Sequence, residues 1–495
     1  MTHNYNKEIR AVVLIVAFKL LILLLLPLTG DEAYFISWAR HLMPGYYDHP
    51  PMVGWLIYLM SFVSDNYLFY RLFSFATMLA VAYILYRMLK LHVSKEIALL
   101  SALALLASPV DLLVVMITND IPLLLFGSLG TLFLLYSFET KQWLRYSVLS
   151  GIFLGLAFLS KYFAVFLMLG LLLFVGYTYR KRALKNSAVI LMVVLLFVAQ
   201  NLYFNYHNCW NNILFNFLSR TAQSHFQFKS VILYFIILIY LVTPWGLYYL
   251  IQARFSMPSV TLRNLSIAVL SVALGIFFIV SLKKSIGLHW LLLFIPYLFM
   301  LFSSLSPETL RTLIRYNARF SYLHITLLLI ILMVPISLFK EHKKYGAALL
   351  FVHPQSICKA LDAHNISRLF AYGYSTAALL SYHCNRDIHM LYNTNKYGRL
   401  DDKLFDITTL QNQTFALFDK RAFNTRDTAL FTSTCNRITI EELPVEGATY
   451  HLLTCEGFDY DAYKTTVLNT IKEKFYTLPS WLPRGDCYFL QRYYP

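Results

Sequence analysis

The sequence predicts an α-helical polytopic membrane protein with a small C-terminal α/β domain. Of its 495 residues, 58% are hydrophobic and 14% are charged, whereas soluble domains carry roughly 25% charged residues. Apolar runs long enough to cross a bilayer as a helix, roughly 18–20 residues each, recur along the chain before Lys340. After Lys340 the composition becomes polar and mixed. We therefore expect a transmembrane domain over residues 1–340 and a separate domain over residues 341–495.

The apolar runs predict about eleven transmembrane helices. They lie near residues 11–29, 67–89, 96–117, 120–137, 144–160, 162–179, 187–206, 230–251, 264–282, 289–304 and 320–339. The run from Met52 to Val63 is too short to cross, so we expect it in the membrane interface. The run from Ala11 to Leu28 lacks a small-residue cleavage site and leads directly into a polar stretch, which favours a retained helix over a signal peptide.

Charge is distributed unevenly between the expected loops. The net charge of +16 would suggest nucleic acid in a soluble chain, but here the basic residues lie mostly in short loops between the apolar runs, on one side of the expected spans. With the N-terminus inside, this is the positive-inside pattern, and no nucleic-acid partner is expected. The inner loops then hold Arg87, Lys90, Lys95, Lys141, Arg145, Arg180, Lys181, Arg182, Lys185, Arg254, Arg263, Arg311, Arg315 and Arg319.

The segment after the last span reads as a small α/β domain. It has β-like runs at 369–372, 415–418 and 437–440 and a helical stretch near 375–383. An odd number of spans places this domain outside. Five of the six cysteines lie in it, and Cys209 lies in an outer loop. These cysteines are either disulfide-bonded, as in an oxidising compartment, or buried free thiols, and the pairing cannot be deduced from the sequence.

The stretch from Thr29 to Trp55 is the first candidate reaction site. Asp31 and Glu32 stand where the first apolar run stops, and charge at a membrane boundary is costly without a use. We expect one to act as a general base and the pair to bind a hydroxyl or a metal ion. The structural alternative is that Asp31 caps a helix over Ala33 to Leu42 and that the helix dipole favours Glu32.

The same stretch continues with an amphipathic segment and a stiff turn. Phe35, Trp38, Ala39 and Leu42 fall on one face of the expected helix. The turn that follows holds four candidate substrate-binding residues and is stopped by two prolines; the four are Tyr46, Tyr47, Asp48 and His49. For Asp48 and His49 the alternative is ordinary turn chemistry.

A second acid lies at the start of another span. Asn119 and Asp120 stand between two apolar runs, just before Pro122. Either residue could cap the following helix, as is common beside a proline. The functional alternative is that Asp120 orients substrate or binds a cation.

Several cations lie on the outer side, against the positive-inside rule. Lys161 interrupts an apolar run, Arg220 lies in an outer loop, and Lys283 and Lys284 precede His289. Phosphate binding would account for them, and snorkelling of the lysine to the interface is the alternative. Carboxylates and phosphate-binding cations beside a membrane suit a transferase with a lipid-phosphate-linked donor, since nucleotide-activated donors are absent outside the cell.

Four motifs together resemble one known family. They are DEAYFISWARHLMPGYYDHPP from Asp31, SPVDLLVVMITNDIPLLLFGSLG from Ser108, GLAFLSKYFAVFL from Gly155 and QNLYFNYHNCWNNILFNFLSR from Gln200. The chain resembles bacterial integral-membrane glycosyltransferases of the dolichyl-phosphate-mannose protein mannosyltransferase superfamily (family 39), and more distantly the lipid A aminoarabinose transferase. The resemblance covers Gly30 to about Trp290 well and the C-terminal domain loosely.

The resemblance implies a GT-C fold in the bacterial inner membrane, with the active site and the C-terminal domain facing the periplasm. The donor would be an undecaprenyl-phosphate sugar, and transfer would invert the anomeric centre. Asp31 would be the catalytic acid of the first loop with Glu32 beside it, Asp120 the acid of the second loop, and Lys161 a donor-phosphate contact. The need for a divalent metal is left open, with Asp31, Glu32 or Asp120 as its ligands if one binds.

The sequence also departs from the family pattern. Asn119 replaces the usual proline before the second acid, and residues 207–210 read HNCW instead of HGW. His289, a further candidate substrate-binding residue, stands where many relatives have asparagine. These departures leave the sugar and the acceptor open, and lipid A, another envelope glycan or a protein remain alternatives. An O-antigen ligase or polymerase and a lipid or solute transporter are the rival functions, although the clean spans and the acids at one edge disfavour a transporter.

Overall fold

The computed structural model describes residues 5–219, 226–364 and 366–495, so Arg220, a candidate phosphate contact, lies outside the described residues. The described residues fall into two compact units. The first lies within Met1–Leu26, Pro50–Asn201 and Gln223–Leu332. The second lies within Pro27–His49, Leu202–Ala222 and Met333–Pro495. The second unit therefore includes two segments that precede the boundary expected at residue 340.

Helices make up most of the chain before residue 340. The α-helices there are α1 (Asn6–Leu25), α2 (Gly30–Arg40), α3 (Met52–Ser61), α4 (Tyr67–Lys90), α5 (Lys95–Ala107), α6 (Asp120–Glu139), α7 (Trp143–Ser160), α8 (Ala164–Tyr179), α9 (Ala183–Tyr206), α10 (Asn211–Ile213), α11 (Phe228–Val242), α12 (Pro244–Gln252), α13 (Val260–Ser281), α14 (Ile295–Met300) and α15 (Pro307–Met333). Short 3₁₀ segments at Pro109–Leu113, Leu288–Phe294 and Leu301–Ser304 and a π-helical segment at Leu214–Ser219 lie between them.

Among the described residues, six helices are long and apolar enough to cross a membrane, or up to eight if each of two bent pairs is one span. The difference from the expected eleven has local causes. Two expected spans form one helical stretch, Ala164–Tyr206, and the bent pairs are α1 with α2 and α11 with α12. The runs at 96–117 and 289–304 form helices that are too short to cross a membrane. The first is broken after Ala107, and the second alternates between 3₁₀ and α geometry.

Buried polar groups hold the broken helices of the first unit. Arg71 on α4 donates to the carbonyl oxygens of Leu23 (3.0 Å) and Leu26 (2.6 Å), at the C-terminal end of α1. Those carbonyls lack intrahelical partners, and in an apolar surrounding they need one. Lys19 and Asp111 form a fully buried ion pair, with 2.7 Å between the lysine Nζ and the aspartate Oδ1. Each of these buried charges therefore either completes the backbone hydrogen bonding or is paired with an opposite charge.

The second unit contains one five-stranded sheet. Its strands are β1 (Leu369–Ala371), β2 (His389–Met390), β3 (Phe415–Asp419), β4 (Cys435–Val445) and β5 (Ala448–Phe458), in the order β2-β1-β3-β5-β4. β1 pairs in parallel with β2 and β3, and β5 pairs antiparallel with β3 and β4. The unit's other α-helices are α16 (Tyr345–Val352), α17 (Pro354–Ala363), α18 (Tyr374–His383), α19 (Asp401–Leu404), α20 (Thr425–Thr434), α21 (Tyr460–Tyr463), α22 (Asn469–Phe475) and α23 (Tyr488–Tyr493).

The α/β character expected for this region is confirmed. The three predicted β-like runs fall in β1, β3 and β4, and the predicted helical stretch falls in α18. Strands β2 and β5 were not predicted. β2 has only two residues, and β5 alternates apolar and polar residues incompletely, as its sequence ATYHLLTCEGF shows.

Helix α2 corrects two details of the predicted amphipathic helix. Thr29, not Asp31, is the N-cap: its side chain accepts a hydrogen bond from the backbone of Glu32, whose carboxylate binds back to Thr29 in a capping box. The apolar face is buried at Phe35, Trp38 and Ala39. Leu42 is 45% exposed because the helix ends at Arg40, so Leu42 does not continue that face.

All six cysteines are paired in disulfide bonds. The pairs are Cys209–Cys487, Cys358–Cys384 and Cys435–Cys455. The first joins the 202–222 segment to the end of the C-terminal region across 278 residues of sequence. Hydrogen bonds surround it: Cys209 donates its backbone N–H to the carbonyl of Asp486 (2.8 Å), and the Trp210 indole donates to Pro483 (2.9 Å).

Candidate active site

Asp31 lies in the first turn of α2 with an exposed side chain. Its Oδ1 accepts a hydrogen bond from the hydroxyl of Tyr374, at 3.0 Å. Burial first, and then the negative charge of Asp31, raise the pKa of Tyr374, so this hydroxyl stays protonated and donates. The arrangement fixes one carboxylate oxygen and leaves Asp31 accessible, as a base or an orienting group requires.

Glu32 has different surroundings from its neighbour. It is fully buried, and its Oε2 accepts from the backbone N–H of Thr29 (3.2 Å) and from the Thr29 hydroxyl (3.0 Å). These bonds serve the start of α2. Of the two adjacent acids, Asp31 is therefore the one placed for contact with a substrate.

Gly30 lets α2 approach α18 at this point. A Cβ atom at residue 30 would collide with the side chain of Ser375, the residue that follows Tyr374. Because glycine has no Cβ, the first turn of α2 comes close enough for the Asp31 carboxylate to meet the Tyr374 hydroxyl.

The Tyr46–His49 turn is built into the same unit by buried hydrogen bonds. The Tyr46 ring stacks on Trp38 with centroids 4.2 Å apart, and its hydroxyl donates to the Trp38 carbonyl at 2.7 Å. Asn212 donates to the carbonyl of Tyr46 and Asn216 to that of Asp48, both at 2.8 Å.

The candidate substrate-binding residues of this turn differ in exposure. Tyr46 and Tyr47 are at most 1% exposed and Asp48 is 5% exposed, whereas His49 is half-buried. The Tyr47 ring lies 5.4 Å from that of Phe215. The two tyrosines thus support the turn from within, and a substrate contact by any of the four stays a prediction.

A cleft between α2 and α18 contains polar residues that the sequence did not point to. Arg40, the last residue of α2, and His41, which follows it, line the cleft together with Tyr374 and His389. Burial lowers the pKa of His389, but hydrogen bonding and charge from Asp401, with a smaller contribution from Asp387, outweigh burial and raise it overall. Tyr374 thus both donates a hydrogen bond to Asp31 and lines this cleft. A sequence signal existed, since Tyr374 opens the helix directly after the parallel strand β1.

In the first unit, Asp120 and Lys161 form a buried ion pair. The Lys161 Nζ lies 2.7 Å from Oδ1 and 3.0 Å from Oδ2 of Asp120, and both side chains are about 5% exposed. Asp120 begins α6, and Lys161 is the C-cap of α7. The pair explains the lysine better than snorkelling does, because its ammonium group is held by a carboxylate rather than by the interface.

Two of the predicted phosphate-binding cations are linked by aromatic rings. Lys161 Nζ lies 4.8 Å from the centroid of Phe163, and the Phe163 ring lies 5.2 Å from that of Trp290. Lys284 Nζ lies 5.7 Å from the Trp290 centroid. Lys161 and Lys284 thus each lie near one ring of the same aromatic pair, and the exposed Lys283 precedes Lys284 in sequence.

His289 is also exposed and is next to Trp290 in the same segment. Within the described ranges, no three side chains of His, Cys, Asp or Glu converge as metal ligands. Asp120 is engaged by Lys161, and Glu32 by Thr29.

Residues 48–204 match the family described as dolichyl-phosphate-mannose-protein mannosyltransferase. The resemblance to this family is confirmed. The mannosyltransferase-like segment contains Asp48, His49, Asp120 and Lys161, whereas Asp31 precedes it.

A curated relative is the lipid A galacturonosyltransferase RgtD of Rhizobium johnstonii. It is 31% identical over 143 residues, which are 28% of this chain and 30% of the relative. The match thus spans less than a third of that protein's length.

Two solved structures of ArnT from Cupriavidus metallidurans share the fold. The apo structure aligns with a TM-score of 0.58 at 15% identity, covering 90% of this chain and 97% of that one. The structure bound to undecaprenyl phosphate aligns with a TM-score of 0.62 at 14% identity, covering 91% and 98%. The chain is therefore a multi-pass, largely helical membrane protein with the GT-C fold of ArnT.

Proposed function

We propose that the protein is a glycosyltransferase of the bacterial inner membrane. It transfers a sugar from an undecaprenyl-phosphate carrier to an envelope acceptor, with lipid A or lipopolysaccharide preferred, and inverts the anomeric carbon. The observation that carries the proposal is the mannosyltransferase-like match over 48–204, which contains the Asp120–Lys161 pair. The similarity to a lipid A galacturonosyltransferase supports the acceptor, and the ArnT structure with undecaprenyl phosphate supports the carrier.

The proposed orientation places Asp31 and the 341–495 domain in the periplasm. Two features support it. When each of the eleven apolar runs of the sequence is taken as a span, the basic residues follow the positive-inside rule with the N-terminus inside. The three disulfide bonds suit an oxidising compartment. We take residues 1–340 as the catalytic domain and residues 341–495 as a domain that contributes Tyr374 and, we propose, contacts the acceptor.

The proposed reaction is a single substitution at the anomeric carbon. An acceptor oxygen forms the new bond to this carbon while the bond to the carrier phosphate breaks, and polyprenyl phosphate leaves with the electron pair. Lys161 and Lys284 offset the charge that develops on the phosphate. Asp120 holds the Lys161 ammonium in position through the 2.7 Å contact.

The role of Asp31 depends on the acceptor. With a hydroxyl acceptor, Asp31 takes the proton of that hydroxyl as the new bond forms. The hydrogen bond from Tyr374 to Oδ1 keeps the Asp31 carboxylate in a fixed orientation. With a phosphate acceptor, as on lipid A, no proton has to be removed, and Asp31 orients the acceptor. The two cases differ in how strongly the reaction depends on this carboxylate.

An in vitro transfer assay tests the proposal. Purified full-length protein is incubated with labelled undecaprenyl-phosphate sugars and lipid A, beside Asp31→Asn and Lys161→Met. We expect transfer by the wild type, and losses of about 100-fold or more in Asp31→Asn if the acceptor is a hydroxyl. Asp461→Asn, at an exposed position on α21, is the matched control and should keep full activity.

The assay has clear contrary outcomes. Absence of transfer from every polyprenyl-phosphate monosaccharide, with transfer from an oligosaccharide pyrophosphate instead, would reject the proposal in favour of an O-antigen ligase or polymerase. Transfer that persists in Asp31→Asn would retain the enzyme class and assign Asp31 an orienting role toward a phosphate acceptor.

A further inference from the structure

The first unit contains a large cavity where α4 and α6 end and α7 begins. Its volume is about 570 Å³. Four tyrosines and two cations line it, and these are Tyr83, Tyr86, Tyr136, Tyr146, Arg87 and Lys90. We propose that this cavity binds the phosphate-bearing headgroup of an anionic membrane phospholipid.

The cavity is separate from the candidate active site. α6 and α7 pack antiparallel: Asp120 and Lys161 meet at one end, and the rings of Tyr136 and Tyr146 meet at the other, 5.2 Å apart. A rise of 1.5 Å per residue places Tyr136 roughly 24 Å along α6 from Asp120. The donor site proposed above therefore does not account for the cavity.

The two cations at the cavity have no carboxylate partner among the described residues. Arg87 donates to the Tyr83 hydroxyl at 2.9 Å and lies 5.7 Å from the ring centroids of Tyr83 and Tyr136. Lys90 lies 5.7 Å from the centroid of Tyr86. A guanidinium carries five N–H donors and binds phosphate oxygens in pairs. Most of the donors on Arg87 are thus available to an anion.

The nearest acid along α6 serves other residues. Glu139 accepts from the Tyr179 hydroxyl at 3.3 Å and lies 3.9 Å from His92. It does not line the cavity. The cavity therefore combines two positive charges with phenolic hydroxyl groups, which is the chemistry that a phosphodiester requires.

The surroundings favour a lipid over a soluble phosphate. Leu72, Leu79 and Tyr83 share one face of α4 at spacings of seven and four, and they are 41%, 39% and 58% exposed. An acyl chain can lie along this apolar stripe while its headgroup enters the cavity. Basic pockets between membrane helices bind anionic headgroups in this way, and the volume falls within the range of ligand sites.

Basic residues at this end of the bundle also lie outside the cavity, so the test needs a control cation that does not line it. Lys181 provides the comparison. It follows α8, which begins beside Lys161 and ends at Tyr179, whose ring stacks on Phe138 of α6 at 3.9 Å. Lys181 thus lies at the same end, is exposed, and does not line the cavity.

The test is a lipid titration of the purified full-length protein in detergent, read as the rise in thermal denaturation temperature. Phosphatidylglycerol, phosphatidylcholine and inorganic phosphate are titrated separately. We expect a saturable rise with phosphatidylglycerol alone. Its midpoint concentration should increase about tenfold or more in Arg87→Gln/Lys90→Gln and stay unchanged in Lys181→Gln.

Three outcomes would overturn the proposal. They are equal midpoints in the wild type and the cavity variant, an equal loss in Lys181→Gln, and an equal rise with inorganic phosphate, which would assign the cavity to a soluble anion. Should the double variant fail to fold, Lys90→Gln changes a single exposed residue and gives the same comparison.

Discussion

Lys161 is a buried cation whose carboxylate partner, Asp120, begins the neighbouring helix α6. Its position inside an apolar run, on the side where cations are rare, marked it as a residue that needed a partner. The sequence marked Asp120 separately, as an acid at the start of a span. That the two pair across 41 residues follows from the antiparallel packing of α6 and α7, which no local pattern specifies. Both residues were predictable as candidates, and their pairing was not.

Breaking this pair is expected to destabilise the protein. Lys161→Met and Asp120→Asn each leave one buried polar or charged group without its partner, at a cost of about 3–5 kcal/mol. The double variant Lys161→Met/Asp120→Asn leaves no lone charge and should lose less than the two single losses added together. Thermal denaturation in detergent measures all three, and strictly additive losses would contradict a direct pair.

The buried carboxylate of Asp402 is expected to make the stability of the protein depend on pH. It is buried, accepts from the Tyr476 hydroxyl at 2.9 Å and lies 3.4 Å from Arg399. Burial, only partly opposed by the charge of Arg399, raises the pKa of Asp402 to about 6 from an ordinary value of 3.8. The folded state thus holds this proton at pH values where the unfolded state has lost it.

The stability contributed by Asp402 should therefore fall as the pH rises from about 4 to about 6 and stay low above that. Asp402→Asn cannot titrate, so its denaturation temperature should decline less than that of the wild type between pH 4.5 and pH 7. The neutral variant also serves as the control for all other titrating groups. Parallel declines in the two proteins would show that Asp402 does not titrate in this range.

At the level of elements, α2 illustrates what periodicity can and cannot specify. The apolar spacing correctly predicted a helix and its buried residues Phe35, Trp38 and Ala39. The N-cap was expected at Asp31, although Thr29 and Glu32 have the Thr-x-x-Glu spacing of a capping box. The apolar spacing also could not show the Gly30 contact with Ser375, which joins residues 345 positions apart.

Gly30→Ala is expected to disturb the packing of α2 on α18. The added Cβ overlaps Ser375, and overpacking of this kind costs about 1–3 kcal/mol. Gly176→Ala is the matched control, since a Cβ there meets nothing within 4 Å and alanine favours a helix by about 0.5–1 kcal/mol over glycine. Denaturation temperatures give the comparison.

Ser375→Gly should rescue Gly30→Ala, because it removes the overlapping atoms. A lack of rescue, or an equal effect of both glycine substitutions, would contradict the close approach. Loss of transfer activity in Gly30→Ala, restored in the double variant, would connect the contact to the placement of Asp31.

For the whole chain, composition predicted a membrane part and a polar α/β part, and both exist. It did not predict that residues 27–49 and the described residues from 202 to 219 belong to the same compact unit as the C-terminal residues. Long-range interactions join those segments to the C-terminal residues, among them the Tyr374–Asp31 hydrogen bond, the Cys209–Cys487 disulfide and the Trp210–Pro483 hydrogen bond. Pairwise contacts of this kind carry no periodic signal, so they appear only in the folded chain.

The Cys209–Cys487 bond should contribute more stability than the bond inside the β4–β5 hairpin. It closes a loop of 278 residues, against 20 for Cys435–Cys455, and the chain-entropy relation gives a difference of about 2 kcal/mol. Replacing both cysteines of each pair with serine and comparing denaturation temperatures tests this. A greater loss for the hairpin pair would show that strand pairing, not loop closure, sets the ranking.

The long disulfide also has a consequence for biosynthesis. Cys487 leaves the ribosome 278 residues after Cys209, which takes roughly 15–55 s at about 5–20 residues per second. During that interval the local partners Cys358–Cys384 and Cys435–Cys455 are completed first, and the waiting Cys209 thiol can react with either of them. We therefore expect the yield of correctly paired protein to depend on a catalyst of thiol–disulfide exchange that corrects such errors.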